Sequence, residues 1–143
     1  DMPPGTGDAQ LTIAQTIPVT GAVIVTTPQT VSLDDSRKGV EMFEKTNVPV
    51  VGIVENMSEF VCPDCGGEHD IFGSGAGQKL ADEVDVPLVG NIPIDPNVRT
   101  GGDEGEPIVL SDIDSPAKDA LRGAADSIRD EVDSIGDRKL PMV

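Results

Sequence analysis

Three short apolar runs divide the chain: GAVIVTT from Gly21 to Thr27, PVVGIV from Pro49 to Val54, and VPLVGNI from Val86 to Ile92. Each is short and nearly continuous in its apolar character. That is the pattern of a strand buried on both faces of a parallel sheet. Between the runs, apolar positions recur at helical spacing. Residues 9–16 predict a helix with Asp8 as its N-cap. Ser32-Leu33-Asp34-Asp35 opens a second, with Ser32 as N-cap and an acid three residues on, a variant of the capping box. Val40 and Phe43 give that helix its apolar side. Gly75 to Val84 predicts a third helix, entered through a glycine-rich turn. The last is the most regular: Ser115 caps it and Pro116 takes its first position. Ala117, Leu121, Ala125, Ile128, Val132 and Ile135 fall on one face. Gly136 ends this helix and residues 137–143 read as a flexible tail. Ile108 to Leu110 reads as a short fourth strand.

Strands alternating with helices predict an α/β fold, an open and mostly parallel sheet flanked by helices. With no internal repeat and no linker, residues 1–136 read as part of one domain. In such sheets ligands sit beyond the carboxyl ends of the strands, and the unusual polar residues do follow the strands. Thr26-Thr27-Pro28-Gln29 follows the first, Glu55-Asn56-Met57 the second, and Pro93-Ile94-Asp95-Pro96 the third. The opening stretch, DMPPGTGD, would follow a further strand upstream. Starting in mid-motif and without a Met, the chain reads as a portion of a longer protein. An Asp at a strand end before a glycine loop suits a magnesium–nucleotide switch; the plainer reading is a Pro/Gly turn.

Charge narrows the partners. The chain has 143 residues, 26 acidic against 10 basic, and a net charge of −16. Nucleic acid and anionic membrane need clustered Lys and Arg, so neither is expected as a partner. Disorder and a folded, carboxylate-rich surface of the kind found in high-salt cytoplasm both fit such a charge. The periodic segments favour the folded, halophilic reading. No apolar run approaches the roughly 20 residues of a membrane span, and no signal peptide is visible. Two cysteines in a chain of this size point to a reducing cytoplasm rather than a disulfide scaffold.

Those cysteines stand two residues apart, in Cys62-Pro63-Asp64-Cys65-Gly66-Gly67. Two thiolates at this spacing grip a soft metal centre from one side but do not complete its ligand set. Zinc held by Cys62, Cys65, His69 and one further ligand is one reading, and a bridged iron–sulfur cluster is another. A thioredoxin-like redox pair would open a helix, which Gly66-Gly67 argues against. Farther on, Phe72 to Lys79 (FGSGAGQK) looks like a phosphate loop but has the wrong spacing and follows a loop rather than a strand. Its plainer reading is a glycine-rich helix entry.

Five stretches in fixed order, DMPPGTGD, VTTPQTVSLDD, GIVENMSEFVCPDCGG, IFGSGAGQKLA and PLVGNIPIDPNVR, resemble the Mrp/ApbC family. These are cytoplasmic P-loop ATPases that carry iron–sulfur clusters, in the wider class of MinD and ParA. The resemblance runs from Asp1 to about Val109. It implies a P-loop NTPase-like fold and ATP-dependent transfer of a [4Fe–4S] cluster to apo-proteins, the cluster bridging a homodimer through Cys62 and Cys65. Asp1 matches the acid that positions Mg²⁺ through water, and Gly5 and Asp8 match the second switch. Asp35 matches an acid near the dimer and switch surface. Asn56 matches the Asn that reads the adenine edge, while Pro93 and Asp95 match the segment closing over the nucleoside. A zinc-stapled dimerisation module and a MinD/ParA-type positioning ATPase remain alternatives. The departure is the phosphate loop: no G-x-x-x-x-G-K-[ST] occurs in these residues. The 143-residue chain by itself is therefore expected not to hydrolyse ATP.

Overall fold

A computed structural model of the chain describes Met2, Gly5 and residues 7–138, except for the side chains of 136–138. The strands are β1 (Ala22–Thr26), β2 (Val50–Val61), β3 (Glu68–His69) and β4 (Leu88–Ile94). The helices are α1 (Asp8–Thr16), α2 (Thr30–Lys45), α3 (Ala76–Val84), α4 (Pro96–Glu104) and α5 (Pro116–Arg138). β2 is the centre of the sheet. It pairs in parallel with β1 on one edge and with β4 on the other. Beyond the end of β1, the same edge of β2 takes up β3 in antiparallel register, Phe60 opposite His69 and Val61 opposite Glu68. The sheet is thus mixed, with a parallel core as expected. Among the described residues, the outer edge of β1 carries no strand, and Val25 on it is 60% exposed.

Helices cover both faces. α2 and α3 pack on one face, and α5 lies across β4 and β2 on the other. Two core clusters result. Ile24, Leu33, Val40, Phe43, Ile53 and Leu80 build one, while Val54, Val89, Ile92 and Ala124 build the other. Neighbouring residues on a strand point to opposite faces. Ile53 and Val54 therefore feed different clusters, which is why β2 reads as an unbroken apolar run. Ile53 and Leu80 are fully buried, each worth about 1.5–3 kcal/mol in transfer from water.

The structure departs from the sequence reading at several boundaries. β2 does not stop at Val54 but runs to Val61. Its polar second half hides the strand, which is held there by pairing with β3 and β4. A bulge centred on Met57, at φ 56°, separates the two halves. Ile108–Leu110 is a 3₁₀ turn rather than a strand. Pro107 sets it up, its carbonyl accepting from Leu110 N, and α5 clamps the segment that follows. Arg122 donates to Val109 O, and Lys118 Nζ donates to the carbonyls of Ser111 and Ile113. α4 went unpredicted because it buries no residue and so leaves no apolar stripe. Gly7, not Asp8, is the N-cap of α1, and Asp8 is its first residue. α2 begins at Thr30 with Gln29 as N-cap, so Ser32 lies inside the helix. Ser115 does cap α5, its Oγ accepting from Lys118 N at 3.2 Å. That helix passes Gly136 to reach Arg138, and residues 139–143 of the expected tail lie outside the described residues.

Candidate functional site

A groove of about 710 Å³ runs along β1 and α2 to the end of β1. It is lined by Gly5, by all of β1, by Thr27, Asp35 and Lys38, and by Asn56. Three of the residues singled out from sequence, Gly5, Asp35 and Asn56, therefore share one cavity. Gly5 holds a positive φ of 97°, a backbone state that suits glycine. Asp35 faces Lys38 Nζ at 2.8 Å, and that hydrogen bond raises the lysine above its ordinary pKa. Asn56 Oδ1 accepts from Met57 N at 2.9 Å. This fixes the amide plane and leaves the NH₂ as the group that can donate to a ligand. At the groove's end Thr27 donates to Gln29 Oε1 and pairs with Ser32 Oγ at 2.7 Å, closing the β1–α2 turn.

The remaining candidates lie off the groove lining. Asp8 is exposed in the first turn of α1. Pro93 is buried in β4, opposite the irregular stretch of β2 where a missing N–H does least harm. Asp95 is the N-cap of α4, its Oδ1 accepting from Asn97 N at 2.7 Å. Asp1 lies outside the described residues.

The cysteine pair occupies the tip of the hairpin formed by the second half of β2 and by β3. Cys62 N donates to Gly67 O at 2.9 Å and Gly66 N donates to Cys62 O at 2.8 Å. Gly66 takes a positive φ of 69° to make the turn. Cys62 is half-buried and Cys65 exposed, and neither is in a disulfide. The Asp64 N–H, followed by the Cys65 N–H and thiol, draws the Cys62 pKa below its ordinary value, against a smaller opposing effect of burial. The thiolate is the form that binds metal. His69 stands close by: the Cβ position of Gly67 is 3.4 Å from Cys65 Sγ and 3.5 Å from His69 Nε2. Even so, among the described residues no group of three or more His, Cys, Asp or Glu is placed to hold a metal ion. The hairpin tip is a half-site.

Sequence reasoning missed Glu55. This carboxylate, in a residue only 3% exposed, accepts from Gly77 N at 2.5 Å and Gly75 N at 3.4 Å. It occupies the N-terminus of α3, where backbone N–H groups and the helix dipole favour an anion. The FGSGAGQK stretch is therefore filled from within by Glu55 and is not open for a phosphate. Gly77 is required there, since a Cβ would lie 2.7 Å from Glu55 Cβ and 3.1 Å from Leu88 Cδ1. One signal existed: an acid ending a buried strand needs a partner, and the glycine-rich helix entry supplies one. No helix among the described residues is long and apolar enough to cross a membrane.

Several known proteins are similar to this chain. An iron–sulfur cluster carrier protein of Synechocystis is 54% identical over 133 residues, which is 92% of this chain and 38% of the relative. The iron–sulfur cluster transfer protein NUBPL of mouse is 48% identical, covering 90% of this chain and 41% of its own. The chain thus spans about two fifths of these relatives. Among solved structures, a nucleotide-binding protein of Archaeoglobus fulgidus in complex with ADP superposes with a TM-score of 0.66 at 43% identity, over 73% of this chain and 43% of the other. The cell-division ATPase MinD of Pyrococcus furiosus gives 0.61 at 26% identity, over 78% of this chain and 43% of the other. The fold is therefore that of the MinD/ParA-like P-loop NTPases. With the family profile described as ParA, NUBPL iron-transfer P-loop NTPase, matching residues 1–129, the chain belongs to that family.

Proposed function

We propose that the intact protein is an ATP-dependent carrier that holds a [4Fe–4S] cluster between two copies and passes it to apo-proteins. The observation that carries this reading is the hairpin tip, where Cys62 and Cys65 stand together without, among the described residues, a group of three or more ligands placed to hold a metal ion. Four thiolates are the usual set for such a cluster. Two per chain are completed most simply by the same two residues of a second copy about a two-fold axis. The names of the relatives support the cargo, and the ADP complex of the Archaeoglobus protein supports a nucleotide.

The groove that brings Gly5, Asp35 and Asn56 together supports a nucleotide site at the strand ends. Asn56 offers its NH₂ to the base, with Pro93 and Asp95 closing over the nucleoside. Asp1 holds Mg²⁺ through water, Gly5 and Asp8 form the switch that follows it, and Asp35 lies at the switch and dimer surface. Nucleotide state at the strand ends thereby biases loading and release at the hairpin. The 143-residue chain by itself has no G-x-x-x-x-G-K-[ST], and without that cradle nucleotide affinity falls away; measurable ATP turnover by it would contradict this part of the reading.

Anaerobic reconstitution of the intact protein with iron and sulfide, followed by metal analysis and visible absorption, tests the carrier. We expect about four iron per two chains, lost in Cys62→Ala and in Cys65→Ala while circular dichroism stays unchanged. Retention of zinc with no iron uptake would instead support the zinc-stapled dimer, and a cluster surviving in either variant would refute the ligand assignment.

A further inference from the structure

Among the described residues, the buried carboxylate of Glu55 hydrogen-bonds to no Lys or Arg; it accepts from backbone N–H groups. Its position in the chain gives it a role. Glu55 itself pairs with Thr26 of β1 and Asn91 of β4, and directly before it lies Val54, the end of the apolar half of β2. Directly after it comes Asn56 of the groove, and then the arm that carries the cysteines outward. The other arm returns through His69 and Ile71 and enters α3 at Gly75. The root of the hairpin is therefore closed by one charge-assisted contact, from Glu55 on the outgoing arm to Gly75 and Gly77 on the returning one. Between these two points the outgoing arm pairs with β4 at Asn56 and Phe60, whereas the returning arm has few described backbone contacts: the two β3 pairs, the Cys62–Gly67 turn, and short local bonds at Ile71 and Gly73. Gly77 has no space for a side chain against Glu55, so the two segments are held as close as backbone allows.

We infer that Glu55 is a positioning residue: its carboxylate locks the returning arm of the hairpin to β2 and so sets the placement of Cys62 and Cys65 for a shared cluster. This deepens the carrier reading and rests on it for the role of the cysteines, while the anchoring itself does not. A bridged cluster requires two thiol pairs to meet in one fixed geometry. A hairpin that swings at its root would present its thiols in many orientations and hold the cluster weakly. Charge-assisted hydrogen bonds are about twice as strong as neutral ones, and the Glu55 contact at the root is of that kind.

The test uses the intact protein with Glu55→Gln, which keeps the shape and removes the charge, and Glu55→Asp, whose shorter side chain does not reach both amides, in case the first fails to fold. Hydrogen exchange of the metal-free protein reads the anchor directly. Exchange across residues 70–77 should rise roughly tenfold or more, with α5 unchanged and nucleotide binding preserved. After anaerobic loading, iron loss to a chelator should accelerate by a similar factor. Unchanged exchange across 70–77 overturns the anchor, and faster exchange with unaltered cluster retention overturns the positioning role. If the unsubstituted protein takes up no cluster, the carrier reading fails and the positioning role with it, whereas the exchange result still decides the anchor.

Discussion

Gly77 leaves no room for a side chain. Alanine there would push a methyl against Glu55 Cβ and the Leu88 side chain. Forced overpacking of this kind costs about 1–3 kcal/mol, so Gly77→Ala should lower the midpoint of urea unfolding. Gly123, by contrast, has nothing near its Cβ position. Gly123→Ala should leave the midpoint unchanged or raise it slightly, since alanine is the better helix former. The same residue scale marks what could be read beforehand. Cys62, Cys65 and Asn56 could be singled out as candidates because their residue types are uncommon in this chain and follow a strand. Glu55 was visible only as one of the polar residues that follow a strand, because among 26 acidic residues nothing in its type announces its partners. Only burial does, and burial is a property of the fold.

At the scale of elements, α2 and α3 are joined across their exposed flanks by Arg37. Its guanidinium forms a fork with Glu83, both bonds at 2.8 Å, and reaches Asp34 at 2.6 Å. The hydrogen bond from Arg37 holds the Glu83 carboxyl below its ordinary pKa. A depressed carboxylate contributes stability above its unfolded pKa, and that contribution disappears as pH falls through the lower folded value. Glu83→Gln should therefore narrow the gap between neutral and acid melting temperatures, with the difference from the parent greatest at neutral pH. A melting curve with the same acid slope in both proteins would count against this linkage. Strands and long helices were readable because burial on both faces, or on one stripe, imposes a period. The second half of β2 and all of α4 escaped because they bury little. Their order comes from pairing at Phe60 and from the cap at Asp95, which no apolar pattern announces.

The whole molecule is shaped by its charge of −16. Self-repulsion on this scale opposes compaction and is screened by salt, the Debye length falling from about 10 Å at 0.1 M to about 3 Å at 1 M. The melting temperature should rise between dilute buffer and molar KCl. Salt should also expose a second property of the bare outer edge of β1. An unpaired strand is a template for other strands, and natural proteins protect such edges with charge. Here that protection comes from the charge of the whole molecule, because Val25 on the edge is itself apolar and exposed. The same ions that stabilise each copy therefore weaken the repulsion that keeps copies apart. Light scattering by the 143-residue chain should grow with salt even as its melting temperature climbs, and Val25→Lys should suppress the scattering without reversing the climb. For this chain, solubility and stability should respond to salt in opposite directions, and the feature that separates them is one strand edge.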